Sequence, residues 1–157
     1  PWLLEEKKFI KNWIESGKQI VGLWLGGQLI SEALGGTVFK APQWEVGWFP
    51  VKMLQGCYEL MAFHWHAYQF SIPEGSTLLA HSEACPNQVF KYGDHVLAFQ
   101  FHPEANLKWV IDCSKSPNLP SSSDTVQTRE EILEGLIYVD ALETWFHNCL
   151  SQFFKFE

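Results

Sequence analysis

A short apolar run that ends in a glycine-flanked turn constrains this chain more than any other segment. Residues 19–24 (QIVGLW) place apolar side chains on successive positions, which is typical of a strand buried on both faces, as in a parallel sheet. Gly22 and Gly26 lie two residues on either side of Trp24, and residues 28–34 predict a helix that Gly35-Gly36 ends. This spacing is that of a nucleophile elbow, where a strained turn projects its central side chain over a helix N-terminus. Taken alone, it fits two ordinary loop glycines equally well.

The rest of the chain predicts a single layered α/β domain over residues 1–157. An amphipathic helix begins at Pro1 and ends near Gly17, and a second helical pattern follows Pro103. Residues 114–124, rich in Ser and Pro, are expected to form a mobile loop, and residues 125–157 one long or two short helices. The aromatic end at residues 153–156 suits core packing or, less simply, a dimer contact. The strand-like segments are 37–40, 46–52, 57–66, 77–81, 87–92 and 95–101.

Composition excludes several classes of function. The 157 residues carry 11 Lys+Arg against 18 Asp+Glu, a net charge of −7, and no basic cluster offsets it, so we expect no nucleic-acid partner. No apolar run approaches the roughly 20 residues of a membrane span, and no signal peptide is recognisable, so we expect no membrane association. The four cysteines show neither zinc-knuckle nor disulfide spacing, which favours reduced thiols in the cytoplasm.

A second segment, residues 99–104 (FQFHPE), carries a candidate general base. A predicted strand ends at His102, and Glu104 follows across the stiff turn of Pro103. A carboxylate so placed can hold the imidazole in one tautomer, as a base beside a nucleophile requires. A lone His-Pro-Glu would more often be structural.

Together these segments resemble the class I glutamine amidotransferase family, and most of all its GMP-synthase-like stand-alone members. The resemblance covers roughly residues 1–110, in the family's order and spacing. It is carried by Pro1-Trp2-Leu3, GLWLGGQLISEALGG (22–36), EVGW (45–48), Trp65-His66, SEACPNQ (82–88) and QFHPE (100–104). It implies a flavodoxin-like, three-layer α/β/α domain that hydrolyses the side-chain amide of glutamine through a Cys–His–Glu triad and passes ammonia to a synthase.

The resemblance also implies roles for individual residues. His102 would be the base and Glu104 its orienting carboxylate. Gln28 would contact the substrate glutamine, and the backbone at Ala67 and Tyr68 would line its amino-acid end. The backbone N–H of Leu25 would form half of the oxyanion hole. No cofactor is implied.

The sequence departs from the family where the chemistry begins. Trp24 occupies the position of the nucleophilic cysteine, and an indole cannot form a thioester. None of the four cysteines is an obvious substitute. We therefore expect no family-type glutaminase activity, and we expect the strained turn either to relax or to place the indole in a neighbouring apolar pocket.

A second departure concerns the front of the domain. The family places further strands and a glycine-rich loop, which supplies the other oxyanion donor, ahead of the segment that matches Pro1. We expect this chain to lack them and to show an unpaired, apolar sheet edge.

Residues 64–66 (HWH) place two imidazoles on one face of a strand, a spacing that some metal sites use. No third ligand is apparent in the sequence, so no metal site is assigned.

The sequence is compatible with three functions. The first is a glutamine amidotransferase-like protein without its thiol, with glutamine as the family substrate and a synthase or a second copy as partner. The second is a non-catalytic binding or regulatory module on the same fold. The third, a γ-glutamyl peptidase, is disfavoured by the same tryptophan.

Overall fold

The computed structural model describes residues 2–155 and forms one sheet with helices on both faces. Predictions that rest on Pro1 and Phe156 lie outside these residues. The strands are β1 (Ile20–Leu23), β2 (Val38–Met53), β3 (Tyr58–Phe70), β4 (Ser76–His81), β5 (Val89–Tyr92) and β6 (Val96–Phe99). The helices are α1 (Trp2–Glu15), α2 (Leu25–Ala33), α3 (Leu107–Ser114), α4 (Arg129–Glu134) and α5 (Val139–Phe154), with a 3₁₀ turn at Gly135–Tyr138.

The six strands lie in the order β1-β6-β5-β4-β2-β3. Strands β1 and β6 are parallel, and the other neighbouring pairs are antiparallel. Within residues 2–155, β1 pairs only with β6, and Val21 is exposed there. β1 is thus an edge strand of the described residues with Val21 exposed, so the expectation of burial on both faces is wrong there. The expected unpaired apolar edge is observed at this strand.

Two apolar cores separate the layers and confirm the three-layer α/β/α prediction. On one face, Ile10 and Ile14 of α1 and Ile30 of α2 pack against the sheet residues Phe70 and Phe90. On the other face, side chains from α3, α4 and α5 cover the sheet, among them Val110, Ile132, Leu142 and Phe154. None of the helices in the described part of the chain combines the length and the apolar character that spanning a lipid bilayer requires.

Two strand-like segments of the sequence, 37–40 and 46–52, belong to one long strand, β2. The pairing of β2 with β3 shifts register between Lys40 and Glu45. This shift interrupts the alternation of side chains, so the sequence pattern predicts two strands where the structure has one.

The C-terminal segment forms two helices, joined by the 3₁₀ turn, and Thr128 caps α4 with a full capping box. The mobility of residues 114–124 stays a prediction.

Trp48 anchors the C-terminal helices to the sheet. Its indole Nε1 donates a hydrogen bond to the carbonyl of Ile132 at 3.1 Å. A Cβ at Gly135 would clash with Trp48 Cδ1, so only glycine fits there without displacing the ring.

We predict that Gly135→Ala lowers the free energy of unfolding by about 1–3 kcal/mol, because overpacking forces the indole or the backbone to shift. Urea unfolding monitored by circular dichroism measures this change. Ile137→Ala is the matched control in the same turn; its side chain is 78% exposed, so a change within about 0.5 kcal/mol is expected. Equal stability of Gly135→Ala and the unmodified chain would contradict the packing described.

Candidate active site

The parallel pairing of β1 with β6 brings the two sequence-predicted segments to one edge of the sheet. Leu23 lies opposite Phe99, and the backbone N–H of Trp24 donates to the Phe99 carbonyl at 2.9 Å. Because both strands run in the same direction, the turn after β1 and the segment after β6 leave the sheet side by side. Trp24 and His102 therefore meet at the carboxyl ends of these strands.

The turn at Trp24 keeps the strained geometry of an elbow. Trp24 has φ 48° and ψ −106°, and α2 begins at the next residue. A Cβ at Gly22 would lie 2.6 Å from the backbone of Gly26, so this glycine permits the strand and the helix to approach closely. Positive φ is rare for a bulky residue and costs about 1–3 kcal/mol.

Neither fate expected for the indole is observed. The turn has not relaxed, and the Trp24 side chain is not in an apolar pocket: the residue is 40% exposed. Its ring instead lies against His102, with 5.8 Å between ring centroids and 34° between the planes. The expectation was wrong because the strand–helix packing at Gly22 holds the backbone and directs residue 24 toward the imidazole.

His102 and Glu104 form the predicted pair. His102 Nδ1 lies 2.9 Å from Glu104 Oε1, and the imidazole is buried while the carboxylate is partly exposed. With Nδ1–H donated to the carboxylate, Nε2 carries the lone pair that a general base uses. The backbone N–H of His102 donates to the Phe63 carbonyl at 2.9 Å, which ties this segment to β3.

Trp109 is a site residue that sequence reasoning missed. Its ring centroid lies 4.7 Å from that of His102. The first turn of α3 places it there, because the Asn106 side chain caps that helix by accepting from the Trp109 N–H at 3.0 Å. The imidazole thus contacts two tryptophan rings, and the Asn106 cap of α3 was the available sequence signal.

The residues that the resemblance assigns to substrate lie near one another. Gln28 Nε2 is 3.4 Å from the Tyr68 carbonyl, and Gln28 is buried whereas Tyr68 is exposed. Ala67 precedes Tyr68 near the end of β3 and is buried. Leu25 is the first residue of α2, so its backbone N–H is one of those that a helix leaves without an internal partner. An anion could bind at that N–H.

The cysteines show no sign of an activated thiol. Burial raises the pKa of Cys85 to about 12 and that of Cys149 to about 11, and it also raises the pKa of Cys113. The Cys85 thiol donates to Gln69 Oε1 at 3.3 Å. Only Cys57 is exposed, and its thiol faces the carbonyl of Leu54.

A buried polar cluster lies beside the site. Glu45 and His66 are cross-strand partners on β2 and β3, and His64 lies two residues before His66. Glu45 Oε2 is 3.3 Å from His64 Nδ1 and 3.0 Å from His66 Nε2. Burial alone would raise the pKa of Glu45, but the two histidines hold it well below its usual range, whereas burial lowers the pKa of His66. Glu45 is therefore the third potential metal ligand, which the sequence around the HWH motif does not reveal.

The comparison with known families places this geometry in context. The family model for class-I glutamine amidotransferases matches residues 3–109, which is most of the chain. The chain belongs to the class I glutamine amidotransferase family.

Individual relatives agree with this assignment. The chain is 32% identical over 115 residues to the glutamine amidotransferase-like protein YfeJ of Salmonella typhimurium, covering 67% of this chain and 48% of that protein. It is 25% identical over 123 residues to γ-glutamyl peptidase 2 of Arabidopsis thaliana, covering 71% and 50%. A crystal structure of a glutamine amidotransferase from Methylobacillus flagellatus superimposes with a TM-score of 0.93 at 29% identity, covering 99% and 70%. The chain thus spans about half the length of these two sequence relatives.

We predict that alkylation of the native protein at pH 8 modifies Cys57 and leaves Cys85 largely unmodified. A thiol with a pKa near 12 has about one ten-thousandth of its population as thiolate at that pH, and the thiolate is the reactive form. Peptide mass mapping after timed exposure to iodoacetamide measures each site. In guanidinium all four cysteines should react. A cysteine other than Cys57 that reacts first, and does so at pH 6, would reveal an activated thiol and contradict this account.

Proposed function

We propose that this chain carries a glutamine amidotransferase scaffold that retains the general base His102 with its partner Glu104 and has lost the nucleophile. On this view it does not hydrolyse glutamine by the Cys–His–Glu route. The observation that carries the proposal is the contact between Trp24, on an intact elbow, and the His102 ring at 5.8 Å.

The chemistry of the elbow supports this proposal. Attack on an amide carbonyl needs a thiolate or a comparable nucleophile at the turn, and an indole provides none. His102 is oriented by Glu104 at 2.9 Å, as a base would be, but the group whose proton it would take is absent from residue 24. The raised pKa values of Cys85, Cys113 and Cys149 argue against a substitute thiol.

The indole also occupies space that a substrate would need. In the family reaction the amide carbon lies next to the nucleophile and the base, and here the centroid of the Trp24 ring lies 5.8 Å from that of His102. We infer that glutamine binds weakly unless the indole moves. The roles of Gln28, Ala67, Tyr68 and Leu25 toward glutamine, a synthase or homodimer partner, and a cytoplasmic location belong to this proposal.

We predict that the unmodified chain releases ammonia from glutamine no faster than its His102→Asn variant, and that Trp24→Cys restores measurable hydrolysis. Loss of a triad nucleophile costs up to about 10⁶-fold in rate, whereas one missing oxyanion donor costs about 10²–10³-fold. Trp24→Cys should therefore exceed Trp24→Ala by at least about 100-fold even if the Leu25 N–H acts without a second oxyanion donor. A coupled ammonia assay measures the rates.

Two controls make the assay decisive. Trp24→Ala removes the bulk of the indole without adding a thiol. We expect it to be inactive, which would show that the activity of Trp24→Cys comes from the thiol and not from removal of the indole. Trp24→Cys combined with His102→Asn should return to background, because the thiol then lacks its base. Glutamine hydrolysis by the unmodified chain that His102→Asn abolishes would overturn the proposal.

A further inference from the structure

We propose that Glu45, His64 and His66 bind a divalent transition-metal ion of the zinc type inside the β2–β3 hairpin. This site is separate from the chemistry proposed for Trp24 and does not depend on it. Two imidazole nitrogens and one carboxylate oxygen are a ligand set that zinc and related ions use. The three ligand atoms all lie within 4.8 Å of one another.

The hairpin itself builds this arrangement. Glu45 lies directly across from His66, and the register shift after Lys40 sets the face on which Glu45 projects. His64 lies opposite Gly47, two residues along from the Glu45–His66 pair, so the three side chains project from the same face of the hairpin. The three groups converge because of strand pairing, although 18 residues separate Glu45 from His64 in the printed sequence.

The distances fit a shared ion. Glu45 Oε2 lies 3.3 Å from His64 Nδ1 and 3.0 Å from His66 Nε2. Zinc bonds of about 2.0–2.2 Å in tetrahedral geometry place neighbouring ligand atoms about 3.4 Å apart. An ion of this size therefore fits beside Oε2 after small side-chain adjustments.

Surrounding groups orient the ligands as outer partners do in metal sites. The Phe49 carbonyl lies 3.3 Å from His64 Nε2, and when that nitrogen carries the proton, Nδ1 keeps a lone pair for an ion. Nδ1 lies 3.3 Å from Glu45 Oε2 and 3.4 Å from Gln88 Nε2. The Ser82 hydroxyl donates to Glu45 Oε1 at 2.6 Å, which leaves Oε2 facing the histidines. Both contacts hold the ligand side chains in the orientation that an ion beside Oε2 would need.

Two buried side chains next to Glu45 keep polar atoms without a hydrogen bond of good geometry. His66 is only 2% exposed, yet neither of its ring nitrogens has a hydrogen bond of good geometry. Gln88 donates from Nε2 to Glu45 Oε2 at 2.7 Å while its Oε1 is buried without a partner. Rotating this amide by 180° would present Oε1 to the ion as a fourth ligand.

Charge and burial favour a structural ion. Among residues 2–155, Glu45 forms ion pairs only with His64 and His66, so no Lys or Arg compensates its buried carboxylate. A divalent cation would supply that charge without requiring a buried imidazolium. Since all three ligands are buried, the ion would have no open position for substrate, as in structural zinc sites.

Zinc binding to the full chain tests the proposal. Protein stripped with a chelator is reloaded with Zn²⁺, both in native buffer and during dilution from urea, and bound zinc is quantified by competition with a chromophoric chelator. We expect one zinc per chain and an unfolding midpoint about 5–10 °C higher at a hundredfold excess over the dissociation constant. Glu45→Gln should weaken binding at least about 100-fold.

Glu143→Gln is the matched control, because Glu143 is an exposed carboxylate that also faces a histidine, His147, at 3.9 Å. It should bind zinc as the unmodified chain does. If Glu45→Gln fails to fold, the Co²⁺ spectrum of the unmodified chain decides: tetrahedral nitrogen–oxygen coordination without a thiolate charge-transfer band supports the site. Absence of binding, thiolate coordination, or equal binding by a folded Glu45→Gln would overturn it.

Discussion

The parallel pairing of β1 with β6 is the interaction on which the site depends. Four consecutive residue pairs keep the strands in register, and the bond from Trp24 N–H to the Phe99 carbonyl at 2.9 Å extends that register to the turn. This pairing fixes the elbow beside the segment that carries His102 and Glu104. If the register slipped by one residue, the elbow and the base would face opposite sides of the sheet.

The same packing explains how the turn keeps its strained geometry with a tryptophan at its centre. Positive φ at Trp24 is held by the close approach of Gly22 to α2, which does not depend on the side chain at residue 24. The indole therefore occupies the direction that the turn imposes and contacts His102. The backbone conformation of the turn is thus set by packing and not by the chemistry of the side chain that it carries.

Local patterns in the sequence were enough to predict the α/β class, the elbow and the His102–Glu104 pair. Each is encoded within a few consecutive residues: glycines around residue 24, and a proline between the histidine and the glutamate. The direction of the Trp24 ring was not predictable, because it depends on the packing of β1 against α2. The continuity of β2 was missed because the irregular pairing after Lys40 hides its alternation.

Long-range pairing also hid the third member of the buried cluster. Glu45 meets His66 only because β2 folds back on β3, and no spacing rule connects a glutamate with histidines across a hairpin of unknown register. Trp109 was missed for a similar reason, since its contact with His102 requires the turn that follows β6. Site residues encoded by a local sequence motif could be predicted, whereas residues brought together from distant segments could be identified only in the structure.

A covalent probe of the site tests the central claim most directly. A glutamine analogue with an electrophilic carbon in place of the side-chain amide is incubated with the unmodified chain, and intact mass is followed over time. Because residue 24 is a tryptophan, we expect the analogue to modify the chain no faster than it modifies a free thiol in solution. A rapid, stoichiometric adduct that disappears in the His102→Asn variant would show a working nucleophile and contradict it.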